Sequence, residues 1–153
     1  MDHGIRAEQL FFGGCSCAQA VFTAFCDITG MAESDAMRIA SSFGGGVGHL
    51  REICGAVSGA CMAIGMLYGE DTPMSKPVKA AQYARVQDVA LEFQARYGSY
   101  LCRELLQRTD TGPMPEDRTP EYYRSRPCAR YCRAAAEILD EYIATHPIPG
   151  IKL

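Results

Sequence analysis

Ile53-Cys54-Gly55-Ala56-Val57-Ser58-Gly59-Ala60-Cys61-Met62-Ala63-Ile64-Gly65-Met66-Leu67-Tyr68-Gly69 is a long uncharged, glycine-containing apolar run, bounded by Glu52 and Glu70. It falls short of the ~20 apolar residues that span a bilayer, and glycines and a serine interrupt it. A buried helix accounts for it, so the expectation is a helical core with no membrane span. Gly55 and Gly59 lie four apart, which leaves room for a second helix to approach closely.

Outward from this run, helical signals recur between glycine and proline punctuation. Ser16-Cys17-Ala18-Gln19 is a capping-box pattern, followed by Ala20, Val21, Ala24 and Phe25 at helical spacing, with Gly30 ending the segment. Glu33 to Ser42 predicts a short helix with Met37 and Ala40 inward, and Phe43-Gly44-Gly45-Gly46-Val47-Gly48 a flexible turn into a helix from about Glu52 to Tyr68. Val78 to Tyr97 reads as a long amphipathic helix with Ala81, Ala84, Val89, Phe93 and Tyr97 apolar. Leu101 to Leu106 is a short helix, with Ser99 ahead of it as a cap. Residues 109–120 form a proline-rich loop, Pro127 opens a last helix through Tyr142, and residues 146–153 are a tail.

No segment alternates with period two. The predicted class is all-α, a single-domain helical bundle of about five to seven helices. Its one domain is 1–153, with the core at about 14–142.

The 153 residues are 48% hydrophobic and 22% charged, ordinary for a globular chain. Fifteen Lys and Arg against eighteen Asp and Glu leave a formal charge of −3, which does not suggest a nucleic-acid partner. The basic stretch from Arg118 to Arg133 reads as solvated arginines, and the glycine turn lacks the Lys-Ser/Thr ending of a phosphate loop. The N-terminus carries no apolar secretory segment, so a cytoplasmic location is expected. His3 and His146 are expected to be exposed. His49 is read as a solvated loop residue, with a proton-shuttle or ligand role as the alternative.

Eight cysteines in a reducing compartment call for redox or metal chemistry. Cys17, Cys54, Cys102 and Cys128 each fall at a predicted helix start. Unpaired amides and the macrodipole there favour an anion, so these thiols are expected to ionise easily. Cys61, seven residues after Cys54, is assigned to the core. Cys132 reads as a core cysteine beside Ala135 and Ala136, or as an i, i+4 partner of Cys128.

Cys17-Ala18-Gln19-Ala20-Val21, Phe43-Gly44-Gly45-Gly46, Cys54-Gly55-Ala56-Val57-Ser58-Gly59, Cys102-Arg103-Glu104-Leu105-Leu106 and Cys128 follow one order. In this the chain resembles the redox-active proteins named for a C_GCAxxG_C_C pattern, over roughly Gly14 to Tyr142. The resemblance implies that Cys17, Cys54, Cys102 and Cys128 are the functional cysteines and that their role is redox; it implies no particular substrate. Cys15, Cys26, Cys61 and Cys132 fall outside its core pattern.

Three functions follow. In the first, Cys17 or Cys54 attacks a disulfide or oxidant as thiolate and another of the four resolves the intermediate, with a redox partner unspecified. In the second, the same four thiolates are metal ligands for zinc or an iron–sulfur cluster. In the third, the chain is a non-catalytic helical interaction module whose 53–68 helix forms a core or a homodimer interface.

Overall fold

A computed structural model describes residues 1–151. The helices among them are α1 (His3–Phe12), α2 (Cys17–Ala24), α3 (Cys26–Thr29), α4 (Glu33–Ala40) with a 3₁₀ turn (Ser41–Phe43), α5 (Gly55–Tyr68), α6 (Lys76–Tyr97), α7 (Cys102–Leu106), α8 (Pro120–Ser125) and α9 (Cys128–Thr145). No strand forms among the described residues; one isolated antiparallel bridge joins Ile53 and Leu101. The class is all-α, with more helices than the sequence periodicity indicated. The additional ones are α1, α3 and α8, of which α3 and α8 span too few residues to leave a periodic pattern.

The unexpected first helix has a local cause. Asp2 is its N-cap, accepting from the Ile5 amide at 2.8 Å, and the helix buries Ala7 and Phe11 against α9. His3 is also buried, not exposed as its position near the terminus suggested. It stacks on Phe25 with ring centroids 4.2 Å apart and lies 2.6 Å from Asp140 and 3.0 Å from Asp27. Two carboxylates flanking one imidazole outweigh the loss of water.

At the centre, α2 packs on α5, and α9 packs against both. The close approach rests on Gly59. A Cβ there would lie 2.8 Å from the Ala18 carbonyl oxygen and 2.9 Å from the Val21 Cβ. α6 covers α5 and α9 with Gln82, Val89 and Phe93, while Ala81 and Ala84 face outward, contrary to the sequence reading. Alanine carries little preference for either side, so the larger Val89 and Phe93 fix the rotation of the helix.

The tail also packs. Ile148 is buried, and the Tyr68 hydroxyl donates to the His146 carbonyl at 2.7 Å. Residues 152 and 153 of that tail lie outside the described residues.

The glycine segment is not a loose turn. Gly45, Gly46, Val47, Gly48, His49 and Arg51 all have φ between 54° and 73°, the left-handed region. Amide bonds from Gly48 to Ser42 O, His49 to Gly44 O, Arg51 to Gly45 O and Glu52 to Gly46 O tie it down. Such backbone costs a non-glycine residue on the order of 1–2 kcal/mol, and Val47, His49 and Arg51 each bear it. Glu52 to Cys54 then pair with Tyr100 to Cys102 through the bridge, which is why α5 begins at Gly55 rather than at Glu52.

Candidate functional site

Four helices each bring one cysteine to a common cavity. Cys17 is the first residue of α2, behind the N-cap Ser16. The Ser16 hydroxyl accepts from the Gln19 amide at 3.3 Å, and the Gln19 side chain accepts from the Ser16 amide at 3.0 Å, completing the capping box. Cys54 is the N-cap of α5. Cys102 opens α7, and Cys128 opens α9 behind Pro127. Ser99 does not cap α7; its hydroxyl donates to Glu104 and accepts from the Leu101 amide.

The bridge sets the second pair of thiols. The Cys54 amide donates to Tyr100 O at 2.8 Å and the Cys102 amide to Glu52 O at 2.7 Å, on either side of Ile53 and Leu101. Extended residues alternate faces, so Cys54 and Cys102 share the face opposite Ile53 and Leu101. Two glycines make room for the cluster. A Cβ on Gly55 would lie 3.0 Å from the Cys17 Cβ, and one on Gly46 would lie 2.7 Å from the Cys102 Cβ.

All four cysteines line one cavity of about 470 Å³. Its wall includes Arg51, Arg118, Arg126, Tyr122 and Tyr131. Cys54, Cys102 and Cys128 are buried and Cys17 is partly so; all eight cysteines are free thiols.

At Cys17, Cys54 and Cys128 the acidity expected of a helix start is reversed. The Cys17 thiol interacts with that of Cys128, which favours its ionised form. Cys132 and burial oppose this and carry it well above the ordinary thiol range. Burial pushes Cys54 up to about 12, against the lowering effect of the Ala56 and Val57 amides. Contact with Cys17, then burial, raises Cys128 against the opposing charges of Arg126 and Arg118. The helix N-terminus does favour the thiolate, but loss of water outweighs it.

Of the remaining cysteines, Cys132 lies in the core as expected and Cys61 does not. Cys132 is fully buried and its sulfur lies 3.9 Å from the Cys17 carbonyl oxygen, so it belongs to the edge of the cluster. Cys61 is only partly buried, and its thiol is raised by burial to about 11. The Cys15 sulfur meets the Met37 sulfur at 3.9 Å, and Cys26 is buried at the start of α3.

Sequence reasoning missed the charged wall. Arg51 is 3% exposed and donates to the Cys102 sulfur at 3.6 Å. His49 is held by Arg51 and by Gly112 rather than solvated. Arg118 and Arg126 are not free surface charges either. Arg118 donates to the Phe11 and Cys15 carbonyls and lies over the Phe11 ring, while Arg126 pairs with Glu116 and lies over Tyr122. Burial raises the Tyr122 hydroxyl to about 12. The signal available was the placement of Arg51 at the end of the glycine run. Its partner Asp110 is too distant in sequence to be paired with it by pattern.

Among the described residues, no group of three or more His, Cys, Asp or Glu side chains is arranged to hold one metal ion. No described helix is long and apolar enough to cross a membrane.

The sequence profile of a family described as "putative redox-active protein (C_GCAxxG_C_C)" matches residues 15–142. The chain belongs to this family. Within the C_GCAxxG_C_C match lie all four cavity cysteines and the left-handed segment, whereas α1 lies outside it. The central motif stands here as Cys54-Gly55-Ala56-Val57-Ser58-Gly59. Comparison with curated proteins finds no match, and comparison with solved structures finds none.

Proposed function

We propose that this C_GCAxxG_C_C protein carries out thiol–disulfide chemistry in the cavity shared by Cys17, Cys54, Cys102 and Cys128. The observation that carries the reading is the convergence of these four free thiols from four helices, with Cys17 and Cys128 in direct interaction. Thiols that line one cavity can exchange a substrate disulfide for an internal one. Two cysteines lose their protons and two electrons, and the substrate disulfide gains both as two thiols. The cavity is large enough for a small molecule or the end of a side chain to reach the sulfurs.

The metal-ligand reading is less well supported, because the same sulfurs do not form a ligand set around one point. Burial is what the interaction-module reading would also produce, but it gives no reason for the glycines that open space beside Cys17 and Cys102.

The test is differential alkylation with mass spectrometry before and after oxidation of the reduced protein by a small disulfide. Protection of two of the four cysteines, reversed by dithiothreitol, is the expected result. All four remaining freely alkylated after oxidation would overturn the proposal.

A further inference from the structure

Arg51 carries a full charge in a nearly closed environment, and each nitrogen on it has a partner. Its Nε donates to the Asp110 carbonyl at 3.0 Å. One terminal nitrogen, Nη2, serves the Asp110 carboxylate at 3.2 Å and His49 Nε2 at 2.9 Å. The other, Nη1, donates to the Cys102 sulfur at 3.6 Å. His49 Nδ1 lies 2.5 Å from the Gly112 carbonyl oxygen. A carbonyl only accepts, so that nitrogen bears the proton and Nε2 is free to accept from Arg51. The guanidinium is therefore fixed from three sides with its fourth side on sulfur. Both His49 and Arg51 sit at left-handed φ to reach these positions.

The charges around Arg51 do not cancel. Asp110 also binds Arg108, at 2.7 and 2.9 Å, and Arg108 meets Glu116, which takes Arg126 at 2.5 Å. Three guanidinium groups face two carboxylates, which leaves one positive charge in the network. Negative charge that develops on the Cys102 sulfur during exchange would balance it. Among the described residues no arginine donates to the sulfur of Cys17, Cys54 or Cys128.

We propose that Cys102 is the attacking thiolate of this site and that Arg51 is its positioning residue. This rests on the thiol–disulfide reading and replaces Cys17 or Cys54 as the attacking group. The Cys102 thiolate attacks one sulfur of a substrate disulfide, forming a mixed disulfide while the substrate S–S bond breaks and one substrate thiolate leaves. That departing thiolate takes its proton from water, and Cys54, which lies on the same face of the Ile53–Leu101 bridge, gives its own to hydroxide. The Cys54 thiolate then attacks the Cys102 sulfur. A Cys54–Cys102 disulfide forms, the second substrate thiolate leaves and takes a proton from water, and two electrons have passed from the protein to the substrate.

The experiment uses the full reduced chain and dithiodipyridine as the disulfide, with the first mixed disulfide located by mass spectrometry. Cys102 is expected to carry the fastest adduct in the wild type. Arg51→Gln should slow that adduct at least tenfold at neutral pH, and Arg51→Lys should restore much of the loss because the positive charge returns. Asp110→Asn removes the carboxylate charge that holds Arg51, at an exposed position, and should slow the Cys102 adduct several-fold; a wild-type rate there overturns the positioning role. This variant keeps the test decisive if Arg51→Gln fails to fold by circular dichroism. An unchanged Cys102 rate in Arg51→Gln, or a fast adduct on Cys17, Cys54 or Cys128 instead, overturns the assignment but leaves the thiol–disulfide reading standing. No adduct on any of the four overturns both.

Discussion

The Cys132 sulfur, one helical turn beyond Cys128, sits 3.9 Å from the backbone carbonyl of Cys17 at the opening of α2. This contact ties the start of α2 to α9 and places a fifth thiol against the cluster. It acts on Cys17 by disfavouring its ionised form. Replacing it, as in Cys132→Ala, should make Cys17 react several-fold faster with iodoacetamide at neutral pH. The truncated side chain leaves a small void, so stability should fall by about 1 kcal/mol in urea titrations. A Cys17 rate equal to or below wild type would show that Cys132 has no hold on it.

Alkaline pH should unfold the protein through its buried thiols. Burial raises Cys54 to about 12 and Cys61 to about 11, above the ordinary thiol value near 9. A group whose folded value is raised adds stability below the unfolded value. That stability is lost as pH rises through the folded one. Each such thiol should therefore contribute a slope of about 1.4 kcal/mol per pH unit from pH 9 upward, until its own folded value is reached. Unfolding free energies measured between pH 7 and 11 check this, and Cys54→Ala should flatten the decline.

His3 gives a second, separate pH dependence. Burial lowers its basicity, but hydrogen bonds and charge from Asp140 and then Asp27 outweigh that and leave it raised. Its stabilising effect is thus fully present below about 6.5, the unfolded value, and is lost as pH rises through the folded value. Hydrogen exchange of the α1 amides should quicken as pH rises through that window, beyond the intrinsic chemical effect of pH. His3→Gln should abolish the excess; the same excess in that variant would place its origin elsewhere.

Gly46 should tolerate no side chain. At φ 73°, a Cβ would lie 2.7 Å from both the Cys102 Cβ and the Glu52 amide nitrogen. Strain and overlap together predict a loss of about 3 kcal/mol for Gly46→Ala. Cys102 should also be displaced from Arg51, so its reaction with dithiodipyridine should slow more than that of Cys128. Equal slowing at both would mean a general loosening of the fold. In contrast, Gly14, where a Cβ meets nothing within 4 Å, should show only the backbone cost of a left-handed residue in Gly14→Ala.

The helix starts at Cys17 and Cys128, the capping box of Ser16 and Gln19, and the close approach at Gly59 were legible in the chain, because each depends on residues within a turn or two of one another. Helices α1 and α8 were not read, although their caps Asp2 and Thr119 are local signals, because the stretches behind them carry weak apolar periodicity. The inward face of α6 was misread at Ala81 and Ala84, since alanine takes its side from whatever packs beside it.

By itself the sequence determined an all-α chain with four cysteines at or beside helix starts, since capping and periodicity are local. Only the tertiary structure decided how those thiols differ. Arg51 meets Cys102 across 51 residues and Asp110 across 59, and the raised thiols owe their state to neighbours from other helices. Desolvation and ion pairing act through space, so the acidity of a cysteine and the identity of its charged partner follow from the packing rather than from its place in a motif.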